Sequence, residues 1–178
     1  MGIQASLTGH LVFSTLHTND APSAVSRMVD IGVPSYMVAS SVIAILAQRL
    51  VRTICPRCKM RYNPPESVLA DSGIPPEMIK QAEFCKGKGC TYCQRSGYRG
   101  RIGIYELMLI NSKIREMMFK NVGGKELRIA AIKNGMTTLY TDGMRKVCRG
   151  ITTFEEVYRV AKKTEQEHLA FETVLKEG

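Results

Sequence analysis

Apolar residues fall along the chain in blocks cut by glycine and proline, and their spacing predicts the elements. Ile3-Gln4-Ala5-Ser6-Leu7 reads as the last turn of a helix closed by Gly9, and Leu11-Val12-Phe13-Ser14-Thr15-Leu16 as a buried strand. Asn19 or Asp20 can cap the next helix, with Pro22 in its first turn, Ala24, Val25, Met28 and Ile31 on one face and Gly32 as its stop. A longer helix is expected from about Pro34 to Ile54, apolar at Met37, Val38, Val42, Ile45, Leu46 and Leu50, with Arg49 and Arg52 complementing its C-terminal dipole.

Pro64-Pro65-Glu66 and Ile74-Pro75-Pro76-Glu77 each open a short helix, and the glycine-rich stretch from Gly97 runs into a strand through Leu107. That strand is expected to return to the sheet begun by Leu11, which makes the residues between an insertion. Further helices follow. One is capped by Asn111-Ser112 and broken by Gly123-Gly124, a further one runs to the stop at Asn134-Gly135, one spans about Leu139 to Cys148, and one opens at Thr152-Thr153-Phe154-Glu155 with capping-box spacing. The tail from Lys162 is charged, helical or frayed. A strand at Leu11 without an earlier neighbour leads to the expectation that the chain is the C-terminal part of a longer protein.

Two cysteine pairs change the picture. Cys55-Pro56-Arg57-Cys58 and Cys90-Thr91-Tyr92-Cys93 stand thirty-one residues apart, and two Cys-x-x-Cys turns can present four thiolates to one ion. Cys55, Cys58, Cys90 and Cys93 are therefore read as a structural zinc site. Disulfides, free thiols or a redox dithiol are the alternatives, although neither pair opens a helix as a redox motif would. Cys85 and Cys148 are left outside the site, Cys148 as a small buried apolar residue.

Length and a 44% hydrophobic content suit a folded core. The opening lacks the basic and apolar regions of a signal peptide, and the apolar run Tyr36–Ala47 is too short to span a bilayer. With metal-type cysteine spacing, this points to a reducing, cytoplasmic compartment. The formal charge is +9, and four thiolates around Zn²⁺ would lower it to about +7. Much of the positive charge flanks the cysteines, where it favours thiolates; the rest could face acidic partners, nucleic acid or an anionic membrane.

The stretch from Thr8 through His10, His17 and Ala21 closely resembles the His box of the secretion ATPases, in particular the type II secretion motors and the related type IV pilus assembly motors. The resemblance continues through Leu46 to Arg52, both cysteine knuckles, the segment Gly97 to Glu106, and Gly150 to Val157. The tetracysteine lobe separates the chain from the retraction motors of the same superfamily. The resemblance implies an α/β fold, the C-terminal part of a RecA-like P-loop NTPase domain with an inserted tetracysteine zinc lobe and a C-terminal helical bundle. The expected layout is a core remnant at 1–54, the zinc lobe at 55–98, a strand with helical subdomain at 99–160, and a charged tail at 161–178.

It also implies a homo-hexameric ATPase at the cytoplasmic face of the inner membrane, using ATP and Mg²⁺ and working with membrane platform proteins, with peripheral membrane association and no nucleic acid. His17 would sense phosphate and His10 support its loop; without the resemblance both read as structural histidines. Gln48 and Arg49 are candidate nucleotide or inter-subunit contacts. The sequence holds no Gly-x-x-x-x-Gly-Lys-Ser/Thr loop, so the chain alone is expected to be inactive. A zinc-ribbon module binding nucleic acid is the alternative, weakened by an aromatic content of 7%.

Overall fold

The computed structural model describes residues 2–177, with side chains through Leu175. The chain forms two compact units, one made of the residues up to Ala47 with Glu106–Met136, the other of Gln48–Tyr105 with Thr137 onward.

The first unit opens with helix α1 (Gly2–Leu7). Helix α2 (Ala21–Asp30) starts where predicted, because the Asp20 carboxylate accepts the Ser23 backbone N–H at 2.8 Å, and Gly32 beyond it is left-handed at φ 96°. Between them, residues 10–18 form no regular element, which overturns the expected buried strand at Leu11–Leu16. Leu11 and Phe13 are 70% and 88% exposed. Among the described residues no strand lies beside this segment to complete a ladder, so its backbone groups stay unpaired with a sheet.

The expected long helix is also corrected. Helix α3 covers only Ser35–Ser41, and strand β1 takes Ala44–Ile54. The buried positions Ala47 and Val51 are four apart, a spacing that puts two side chains on one face of either a helix or a strand. The β-branched residues Ile45, Val51, Thr53 and Ile54 favour the strand. Its partner decides the matter.

Short elements fill the loop between the cysteine pairs. Strand β2 (Lys59–Arg61) pairs antiparallel with strand β3 (Cys85–Gly87), Met60 opposite Lys86, and helices α4 (Glu66–Ser72) and α5 (Pro76–Lys80) lie between them. Strand β4 (Tyr98–Leu109), expected to return to the Leu11 segment, pairs with β1 instead. Ile110 N–H reaches the Ile43 carbonyl at one end, and Thr53 bonds the Arg99 carbonyl at the other, so the strands are antiparallel.

Helices α6 (Ser112–Phe119), α7 (Gly124–Lys133), α8 (Leu139–Cys148) and α9 (Phe154–Val160) follow the predicted pattern. The capping box at α9 does not form. Thr153 precedes the helix but its hydroxyl pairs with Tyr98 at 2.8 Å, while Thr152 donates to the Arg52 carbonyl. The tail is helical: α10 spans Glu167–Glu177 and buries Ala170, Phe171 and Val174 in the second unit. Its Glu167, 2% exposed, accepts hydroxyl protons from Thr138 at 2.5 Å and Thr141 at 3.0 Å. Satisfied buried polar groups of this kind fix where an otherwise weakly apolar helix docks.

Candidate metal centre

The two knuckles sit at the ends of paired strands. Cys55 follows the last residue of β1, and its N–H donates to the Gly97 carbonyl just before β4. Each pair forms a tight turn: Cys58 N–H reaches the Cys55 carbonyl, and a 3₁₀ turn at Thr91–Cys93 carries the second pair. A third contact closes the frame, from Lys88 N–H to the Cys58 carbonyl. The backbones at Gly87 and Gly97 pass so close that a β-carbon on Gly87 would lie 2.1 Å from the Gly97 oxygen. Only glycine permits that approach.

This frame gathers the sulfurs of Cys55, Cys58, Cys90 and Cys93 within 4.8 Å of one another. Cys55 and Cys90 are 3.9 Å apart, Cys58 and Cys93 3.8 Å, and Cys90 and Cys93 3.7 Å. A regular tetrahedron with Zn–S bonds of about 2.3 Å has edges of about 3.8 Å. A disulfide needs about 2.05 Å, and all six cysteines are free. The spacing therefore fits four thiolates around one ion far better than cross-linked pairs, and a metal such as zinc could bind there.

The Cys93 sulfur also accepts N–H bonds from Cys90 at 3.2 Å and Gly97 at 3.3 Å. These donors lower its thiol to about 6. Cys58 is pushed up to about 12, chiefly by desolvation. Cys85 is buried outside the cluster, and Cys148 is buried with its thiol raised to about 11 by desolvation.

The other candidate residues stand elsewhere. His10 and His17 are exposed in the first unit, His10 with Nδ1 3.1 Å from the Thr8 hydroxyl. Gln48 is exposed on β1, and Arg49 beside it donates to the Gln48 carbonyl at 3.1 Å. Arg49 and Arg52 therefore lie on a strand and not at a helix end, which corrects the dipole reading.

Sequence reasoning missed two buried ion networks. In the first unit Arg128 bridges Asp20 at 2.6 Å and Glu106 at 3.7 Å, and Glu106 accepts the Ala21 N–H at 2.8 Å. That network holds the start of α2, just beyond His17. In the second unit Glu156, 2% exposed, accepts from the backbone and side chain of Arg52 and from Arg159, at 2.8, 2.7 and 3.0 Å. Burial alone would raise the Glu156 carboxyl, but these donors prevail and hold it at about 2. The links of Arg128 to Asp20 and Glu106 and of Arg52 to Glu156 join residues far apart along the chain and have no local sequence signal, whereas Glu156 and Arg159 stand three apart on α9, an ordinary helical pair.

Residues 1–159 match the family described as Type II/IV secretion system protein. This chain belongs to that family. It is 45% identical to the type IV pilus assembly ATPase PilB of Myxococcus xanthus, over 88% of the chain and 28% of that protein. It is 47% identical to type II secretion system protein E of Pectobacterium carotovorum subsp. carotovorum, over 92% of the chain and 32% of that protein. The chain thus spans about a third of the length of such secretion ATPase relatives. A solved structure of the pilus retraction motor PilT with bound ADP superposes with a TM-score of 0.59 at 22% identity, over 93% of this chain and 36% of that one. This likeness places the chain in the α/β fold of the secretion ATPases.

Proposed function

We propose that the chain is the C-terminal part of a hexameric ATPase that powers type II protein secretion or type IV pilus assembly. The observation that carries the reading is the four-sulfur cluster at tetrahedral spacing in a chain of the secretion family. Residues 1–54 would be the remnant of a RecA-like core bearing the His box, 55–98 an inserted zinc lobe, 99–160 a strand with helical subdomain, and 161–178 a tail. Zinc bound by Cys55, Cys58, Cys90 and Cys93 would be structural, since four thiolates leave no position for water. The ion would join the end of β1 to the start of β4.

His17, with His10 supporting its loop, would contact phosphate, and Gln48 and Arg49 would face nucleotide or a neighbouring subunit. ATP and Mg²⁺ would be held mainly by a phosphate loop outside these residues, so the chain alone would not turn over. The parent would work in the cytoplasm at the inner face of the inner membrane, against membrane platform proteins. Among the described residues no helix is long and apolar enough to cross a membrane.

Two measurements test this. The full-length protein should hydrolyse ATP as a hexamer, and His17→Ala should lower turnover about tenfold or more, ~1.4 kcal/mol in the barrier, with zinc content and assembly intact. Unchanged turnover removes His17 from the site. Chelation of the chain should expose backbone amides of residues 55–98 to hydrogen exchange while sparing α8; uniform protection across both would show that the lobe stands without metal.

A further inference from the structure

Positive charge is segregated within the cysteine lobe. From Cys55 to Arg101 there are nine Lys or Arg and four Asp or Glu, an excess of five that a tetrathiolate zinc site would reduce to about three. The acids Glu66, Asp71 and Glu77 belong to α4 and α5, and Glu83 pairs with Arg61. Apart from Lys80 on α5, the remaining bases sit on or beside the knuckles and the strands. Among the described residues no carboxylate pairs with Arg57, Lys59, Lys88, Arg95, Arg99 or Arg101, and all six are exposed.

Two features show that this charge is held in place. Arg57 and Arg99 both lie on the Tyr92 ring, 4.0 and 4.5 Å from its centroid, and Arg99 also donates to the Tyr92 carbonyl at 3.1 Å. Their guanidinium planes are thereby oriented before any ligand arrives. Arg95, immediately after Gln94, has left-handed backbone at φ 61°, with Gln94 at 51°. A side chain there costs about 1 kcal/mol that glycine would avoid. The turn holds the Arg95 N–H on the Cys90 carbonyl at 2.8 Å, and Gly89 lies against the Arg95 backbone. Arg95 and Lys88, the neighbour of Gly89 in sequence, are thus presented from adjoining backbone.

We propose that the knuckle end of the lobe, built on Arg57, Lys88, Arg95 and Arg99, is a docking surface for an acidic segment of a partner polypeptide. Oriented guanidinium forks suit carboxylates, which they grip through paired N–H bonds. A nucleobase finds no free platform, because both arginines already occupy the Tyr92 ring. A lipid surface would be met without apolar anchors: between Leu50 and Tyr105, Tyr92 is the one exposed large hydrophobic side chain among the described residues. The surface requires only the folded lobe, so it stands or fails separately from the motor reading.

The test uses the zinc-loaded chain and a fluorescein-labelled peptide of alternating Glu and Ala, followed by anisotropy at low and physiological salt. Arg95→Gly removes the side chain while relieving the left-handed backbone, so folding and zinc content should persist or improve. Arg99→Lys keeps the charge and loses the fork. Saturable binding is expected, weakened about tenfold by either substitution. Parallel titrations use phosphatidylglycerol/phosphatidylcholine vesicles and a single-stranded oligonucleotide. Absence of saturable peptide binding, binding unaffected by both substitutions, or tighter binding to vesicles or oligonucleotide would each overturn the proposal.

Discussion

Replacing Glu156 with Gln should destabilise the second unit by about 2–3 kcal/mol at neutral pH, and the figure follows from its partners. The carboxylate is 2% exposed and serves three donors, the Arg52 N–H and the guanidinium groups of Arg52 and Arg159. Those side chains are 48% and 56% exposed, so water screens their charges and each contributes only about 0.5 kcal/mol. The backbone N–H is part-buried, and weakening its charge-assisted bond costs about 1–2 kcal/mol. The carboxyl itself gives a second route. Desolvation opposes ionisation, but the hydrogen bonds from Arg52 and Arg159 lower it from 4.5 to about 2, at most about 3.4 kcal/mol before screening.

The sign follows from that lowering. The unfolded chain binds a proton more readily than the folded one, so this stabilisation is complete above about pH 5 and fades as pH falls from about 4.5 towards 2. Urea unfolding of the native protein and Glu156→Gln at pH 7 and at about pH 3 measures it. Acid would release any metal held by the four thiolates from both proteins alike, so their difference isolates the carboxylate. It should shrink by roughly half at the lower pH. A difference below about 0.5 kcal/mol at pH 7, or one equal at both pH values, would refute the electrostatic account.

Other sites give simpler expectations. Arg128→Met should cost about 3 kcal/mol by stripping a counter-ion from Glu106, which is 1% exposed; thermal unfolding and exchange of the Ala21 amide would report it, and an unchanged midpoint would count against the network. Gly87→Ala places a β-carbon against the Gly97 oxygen, so zinc retained per chain, read with a chromogenic chelator, should drop sharply; full retention would mean that this close approach can relax. Cys148, its thiol raised to about 11 by burial, should have a thiolate fraction of about 10⁻³ at pH 8. It should resist iodoacetamide until the protein unfolds; alkylation at the rate of a free cysteine would show that the site is open.

What the sequence alone determined was set by short-range geometry. Asp20 and Asn111 cap their helices through bonds to residues three positions on, and α8 ends at Cys148 just ahead of a left-handed Gly150. The two knuckles were legible because each pair needs only a tight turn, and their gathering as one cluster followed from ligand chemistry. Tertiary structure decided whatever required a distant partner. Residues 44–54 carry spacing that suits either helix or strand, and pairing with β4 made them a strand. Leu11–Leu16 had strand composition but no ladder beside it among the described residues. Glu156 and Arg52 stand 104 residues apart, and no local pattern announces such an ion pair. A helix satisfies its backbone within itself, whereas a strand or a buried charge is satisfied only by what the fold brings to it.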